Sequence, residues 1–314
     1  MLRESFCCTS TFDGARIAAS VISADEPRFL VQILHGMSEH HRRYLPFMEF
    51  LASMGGAVIA QDLRGHGETA DPQDYGYFGP NAVHATLSDV HQIGEILREK
   101  HPGLPFVLFG HSMGSLIARV YAAEHDELLS GLILAGTVSR NPLAGLALFL
   151  AHMWEIFRGE RHRSRFLSVV SVGQYNRAFP PSDEPGGRFL WLSENSENRI
   201  ACEEDPACAF VFTVNGYQAL FTFLKETYSP KNWNVRNPDM PVLFLSGEED
   251  PVMTDASHFA DAVQFMRDMG YRDVCSQLYP GMRHEILHET GAETVREDIR
   301  LFLEKNLQKF LETV

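Results

Sequence analysis

The sequence predicts an α/β fold: a mostly parallel, eight-stranded sheet with helices on both faces and an inserted helical cap. Three observations carry this. Short, continuously apolar runs such as Phe106-Val107-Leu108-Phe109 alternate with helical segments, as strands buried on both faces do. That rhythm stops after about residue 136, gives way to helical or irregular sequence, and resumes at Met240. Finally, Gly110-His111-Ser112-Met113-Gly114 stands where one buried run passes straight into helical spacing at Met113, Leu116, Ile117, Val120 and Tyr121.

Taken in order, residues 6–9 and 17–22 read as strands joined by a turn at Asp13-Gly14. Residues 29–34 form a third strand, followed by the loop His35-Gly36-Met37-Ser38-Glu39-His40 and a helix over 41–54 that ends at Gly55-Gly56. A short buried strand over 57–60 runs into Gln61-Asp62-Leu63-Arg64-Gly65-His66-Gly67, a glycine-punctuated loop. A helix over 82–100 closes at His101-Pro102-Gly103, and the strand over 105–109, the Ser112 turn and its helix follow. Strands over 129–134, 240–245 and 274–279, with helices over 256–269 and 292–310, complete the pattern. The division expected from this is a core of residues 1–136 and 240–314 with a cap of residues 137–239.

Composition narrows the function. The chain has 314 residues, 45% of them hydrophobic, enough for one large domain with an inserted lobe. A net charge of -14 gains no counterion-release affinity for nucleic acid, which excludes that partner. No stretch approaches the ~20 apolar residues of a membrane span, and Met-Leu-Arg-Glu-Ser-Phe-Cys-Cys does not read as a signal peptide. Cys7, Cys8, Cys202, Cys208 and Cys275 are an odd, irregular set, which predicts reduced thiols and a cytoplasmic protein. No Cys/His spacing matches a zinc motif.

The chemistry starts at Ser112. A strand that turns sharply into a helix forces its central residue into a strained conformation and pushes the side chain outward, and glycines two positions either side avoid clashes. A serine hydroxyl also needs a base and a group to orient that base. Reactive groups in open parallel sheets collect at the carboxyl ends of strands, where Ser246-Gly247-Glu248-Glu249-Asp250-Pro251-Val252 and Pro280-Gly281-Met282-Arg283-His284-Glu285 lie. Asp250 and His284 are therefore the expected acid and base; Glu248, Glu249 and Asp255 compete for the first role, and His258 and His288 for the second. The expected oxyanion hole combines the backbone N–H of Met113 with that of Met37.

Taken together, His35-Gly36-Met37-Ser38-Glu39-His40, Asp62-Leu63-Arg64-Gly65-His66-Gly67, Gly110-His111-Ser112-Met113-Gly114, Asp250-Pro251-Val252 and His284-Glu285 resemble the α/β-hydrolase superfamily, within its monoacylglycerol lipase and lysophospholipase group of serine hydrolases. The resemblance spans both sheet segments. It implies hydrolysis of carboxylic esters of single-chain acyl lipids, with no metal or organic cofactor, and a small-molecule acyl ester as the partner. Arg64 and His66 match a family loop and are read as structural supports. A short-chain carboxylesterase, thioesterase, lactonase, peptidase or acyltransferase on the same residues, and a binding protein on a hydrolase fold, stay open. Dehalogenase and epoxide-hydrolase readings need a carboxylate where Ser112 stands.

Within the cap, Asn141-Pro142 starts a helix over 143–157 that is apolar almost all round and closes in Arg158-Gly159-Glu160-Arg161-His162-Arg163. Three readings are open for it: a buried roof over the pocket, a lid that touches a membrane surface transiently, or a protein-binding patch. The second would make the cytoplasmic protein peripheral to the membrane; no obligate protein partner is expected.

Overall fold

The computed structural model describes residues 1–311. Eight strands, β1 (Leu2–Thr9), β2 (Arg16–Ser23), β3 (Phe29–Leu34), β4 (Gly56–Gln61), β5 (Phe106–His111), β6 (Gly131–Ala135), β7 (Val242–Gly247) and β8 (Val274–Tyr279), form one sheet in the order β1-β2-β4-β3-β5-β6-β7-β8. β2 is antiparallel to both its neighbours; every pair from β4 onward is parallel. Strand alternation then sorts the core. Leu30 and Leu34 of β3 and Phe106 and Leu108 of β5 face one layer, while Val31, Ile33, Val107 and Phe109 face the other.

The first layer holds α2 (Ala82–Lys100), α3 (Met113–His125) and α8 (Ala256–Met269); the second holds α1 (Leu45–Ser53) and α9 (Ala292–Leu311). The helix expected over 41–54 is in fact a 3-10 turn, His41–Tyr44, followed by α1. Pro46, in the first turn of α1, has no N–H to give and fixes where the α-helix begins. β1 begins earlier than the expected residue 6, because pairing with β2 continues from Thr9 back to Leu2 although most of those side chains are exposed.

Between β6 and β7 lie α4 (Ala144–Arg158), α5 (Arg165–Ser171), α6 (Ser196–Glu204) and α7 (Val214–Thr227). α7 packs on α2 and α3 and carries Tyr217, Phe221 and Phe223 into the same apolar core as the sheet. α4 packs on α7, and this corrects the expectation of a buried roof helix. Only Ala144, Ala147 and Ala151 are buried along it, whereas Leu143, Leu146, Phe149, Ile156 and Phe157 are exposed. Small residues allow the two helices to approach closely, and that choice of face turns the large side chains outward.

Candidate active site

Ser112 sits between the last residue of β5 and the first of α3 with φ 53° and ψ -118°, a conformation that costs a non-glycine residue of order 1–3 kcal/mol. Its N–H is held by Ala135 O at 2.9 Å. A Cβ at Gly110 would collide with Gly114 O, and one at Gly114 with Leu34 O and His35 O. The flanking glycines are thus what allow strand, helix and the loop after β3 to meet at the serine.

Asp250 follows β7 and His284 follows β8, and the sheet brings both to Ser112. His284 Nε2 lies 2.7 Å from Ser112 Oγ, and His284 Nδ1 lies 2.8 Å from Asp250 Oδ2. A carboxylate only accepts, so Nδ1 carries the proton and Nε2 is free to accept from the serine. Asp250 is itself fixed by Val252 N–H at 2.8 Å and by the Ser246 hydroxyl at 3.1 Å. The rivals fall away by position. His258 is on the exposed side of α8, paired with Asp255. His288 is half-buried with its Nε2 shut away from solvent, and that desolvation pushes its pKa down to about 4, so it is a neutral packing residue.

The loop expected to supply the second oxyanion donor is unusually well supported. Gly36 N–H donates to Glu39 Oε1 at 2.5 Å and Ser38 N–H to His66 Nε2 at 3.1 Å. Among the described residues, the N–H groups of Met37 and Met113 make no such bond. Met113 is the first residue of α3, where helix geometry leaves N–H groups unpaired and the helix dipole is positive. His66 Nδ1 donates to Arg64 O, and burial drives its pKa down to about 3, so it is locked as a neutral acceptor. Arg64 is tied to Asp13 and Asp89. Both residues hold the loop in shape, as the resemblance implied. The Thr69 hydroxyl braces the same loop, donating to Asp62 O and accepting from Ala18 N–H.

A buried charge network that sequence reasoning did not find encloses this site. Glu285 binds Arg43 through two parallel hydrogen bonds of 2.6 and 2.7 Å, and Arg43 also reaches Glu39 at 2.9 Å. Glu39 Oε1 accepts from Tyr44 OH and from His111 Nδ1, and His111 Nε2 reaches His284 O at 3.2 Å. Both partners of His111 can only accept, so the protonated ring is the form that satisfies both. Burial opposes that charge, but the bond and charge of Glu39 outweigh burial and raise the His111 pKa. The ring of contacts joins the loop after β3, the serine turn and the His284 loop into one unit. Glu39 and His111 lie inside quoted motifs, but their pairing spans 72 residues and no spacing rule reveals it.

The segments between β6 and β7 close the site from above. Trp191 lies against the His284 ring, with centroids 5.3 Å apart, and Tyr175 lies against Trp191 at the same distance. Leu192 O accepts from Glu285 N–H at 2.7 Å, and the Glu289 carboxylate takes Ser193, Glu194 and Asn195 on one side and Arg283 N–H on the other. Nothing in the sequence singled out Trp191 or Glu289. Phe210 and Phe212 pack on His66.

Comparison with known proteins shows the family. A family model described as serine aminopeptidase S33 (Hydrolase_4) matches residues 25–291. A monoacylglycerol lipase from Mycolicibacterium smegmatis is 23% identical over 94% of this chain and 95% of its own. A thermostable carboxyl esterase from Bacillus coagulans superposes with a TM-score of 0.86 at 28% identity, covering 98% of this chain and 99% of that one. A lipase in an open form gives the same TM-score at 26% identity, covering 98% of this chain and 99% of its own. The chain therefore belongs to the serine aminopeptidase S33 family of α/β-hydrolases, and it is a serine-type hydrolase related to the carboxylic-ester-cleaving lipases and esterases.

Proposed function

We propose that the protein is a carboxylesterase that works through an acyl-enzyme on Ser112, with His284 as base, Asp250 as its orienting acid, and the Met37 and Met113 N–H groups as oxyanion donors. The observation that carries this is the unbroken line Ser112 Oγ, His284 Nε2, His284 Nδ1, Asp250 Oδ2 at 2.7 and 2.8 Å. Ser112 gives its proton to His284 as Oγ attacks the ester carbon. The new oxyanion accepts from Met37 and Met113, and Asp250 stabilises the imidazolium. His284 then protonates the leaving alcohol. Water, deprotonated by His284, cleaves the acyl-enzyme and releases the acid. The core of residues 1–136 and 240–314 supplies these groups, and residues 137–239 are assigned as the cap that shapes the acyl and alcohol pockets.

Monoacylglycerols and lysophospholipids are the narrower reading. It is supported by the lipase relatives and by the exposed apolar face of α4, continued by Phe166, Val169 and Val170 of α5 and bordered by Arg158 and Arg165. Such a face, apolar with a basic edge, suits a lipid–water interface. Among the described residues, no helix is long and apolar enough to cross a membrane, so any contact would be peripheral.

Hydrolysis of p-nitrophenyl esters from two to sixteen carbons, wild type beside Ser112→Ala, tests both. Turnover should fall about 10⁶-fold in the folded variant. An optimum at long chains supports the lipid reading, one at acetate or butyrate supports a short-chain esterase, and turnover retained without Ser112 overturns the assignment.

A further inference from the structure

Away from the triad, the fold assembles a second group of reactive side chains. His40 ends the loop that carries Met37, while Asp205 and Cys208 follow α6 in the segment between β6 and β7. One ring nitrogen of His40, one Asp205 carboxylate oxygen and Cys208 Sγ all lie within 4.8 Å of one another. The His40 to Asp205 contact is 2.9 Å. Cys208 is buried, Asp205 is half-buried, and the Cys202 thiol, also buried, lies against Cys208. One imidazole nitrogen, one carboxylate oxygen and one sulfur form a donor set suited to zinc and its thiophilic relatives, not to magnesium or calcium.

The geometry is close to what such a cation needs. Zinc takes nitrogen and oxygen at about 2.0–2.1 Å and sulfur at about 2.3 Å, so tetrahedral donors stand roughly 3.3–3.7 Å apart. The three donors would move by about 1 Å or less to reach that spacing. Asp205 is already held in place, by Ala207 N–H at 2.8 Å and by His40. Cys208 offers a buried S–H group beside Cys202. A bound dication would displace that proton to solvent, and the Cys202 S–H could then donate to the thiolate.

We propose that His40, Asp205 and Cys208 form a binding site for a thiophilic divalent cation of the zinc class, which joins the oxyanion loop to the cap. The position gives it leverage. Ala209 N–H donates to Ser38 O at 2.8 Å, and the Ser38 hydroxyl donates to Phe210 O at 2.7 Å, so residues 205–210 already hold the residue next to Met37. Both Ser38 and Ala209 have positive φ, 55° and 57°, conformations that persist only where neighbouring contacts fix them. A cation at His40 would fasten that junction, whichever ester the triad cleaves.

Cobalt(II) reports this directly, because tetrahedral thiolate ligation gives visible d–d bands and a sulfur-to-cobalt charge-transfer band. The full-length protein, reduced and freed of metal with a chelator, should bind one equivalent with Kd below roughly 10 µM. Zinc should displace the cobalt and release one proton per site. Cys208→Ser should abolish the charge-transfer band, and His40→Gln and Asp205→Asn should each weaken binding at least about tenfold. Cys7→Ser and Cys275→Ser, at exposed thiols, should leave it unchanged. Zinc should also raise the Tm of the wild type and not that of Cys208→Ser. No cobalt spectrum at roughly 100 µM, or a charge-transfer band that survives in folded Cys208→Ser, overturns the proposal.

Discussion

His111→Asn tests whether the buried network positions the reacting groups. The imidazolium donates to Glu39 and to the carbonyl of His284, and both bonds lie in a buried site. A hydrogen bond to a charged group contributes about 1.5–3 kcal/mol, and a buried acceptor left unpaired costs about 1–3 kcal/mol. Asparagine reaches only one of the two acceptors, so a loss of about 3 kcal/mol is expected. At roughly 2–4 °C per kcal/mol for a domain somewhat smaller than this one, Tm falls by about 5–10 °C. Freed from its carbonyl contact, the His284 backbone shifts, and kcat falls about 10- to 100-fold with little change in KM.

The pH dependence separates this from simple loss of packing. Glu39, Arg43, Tyr44, Glu285, His284 and His288 are the titratable groups around His111; the Glu39 bond and charge, with smaller help from the Glu285 charge and the His284 carbonyl, outweigh burial. The folded pKa of His111 is raised above the ~6.5 of an unfolded histidine. Its charge therefore stabilises the fold in full below pH ~6.5, and that contribution is lost as pH rises through the folded value. The Tm gap between wild type and His111→Asn should narrow above that value. Thermal melts from pH 5 to 9, alongside butyrate-ester turnover, give both readouts. A gap constant across that range would show that His111 is neutral and refute the charge assignment. A Tm within about 1 °C of wild type would refute the positioning role altogether.

Other substitutions test the remaining parts. Asp250→Asn keeps the Val252 contact but turns His284 to the wrong tautomer, so kcat should fall about 10⁴-fold with the fold intact, as circular dichroism would report. Gly114→Ala places a methyl group against Leu34 O and His35 O, and it should cost several kcal/mol, about 3 or more, seen as a large drop in Tm or in soluble yield. Ile156→Glu with Phe157→Glu removes two exposed apolar side chains from α4. Flotation with anionic vesicles should weaken at least about tenfold while hydrolysis of a soluble ester is unchanged; undiminished flotation would remove α4 from any interfacial role.

The sequence by itself determined the parts written locally. Continuous apolar runs with helical segments between them dictated the parallel sheet, and the β5–Ser112–α3 turn is encoded in five consecutive residues, because strand, turn and helix there depend on neighbours one to four positions away. The carboxyl-end rule even selected Asp250 and His284 from many acids and fourteen histidines, since parallel strands end on one edge wherever they sit in the chain. Only the tertiary structure decided the contacts that join distant segments: Glu39 to His111, Arg43 to Glu285, Trp191 over His284, and His40 beside Asp205 and Cys208. It also decided which side of α4 faces out. An apolar helix has no preferred face of its own, and it took one because three alanines fit closely against α7 where leucine and phenylalanine would not.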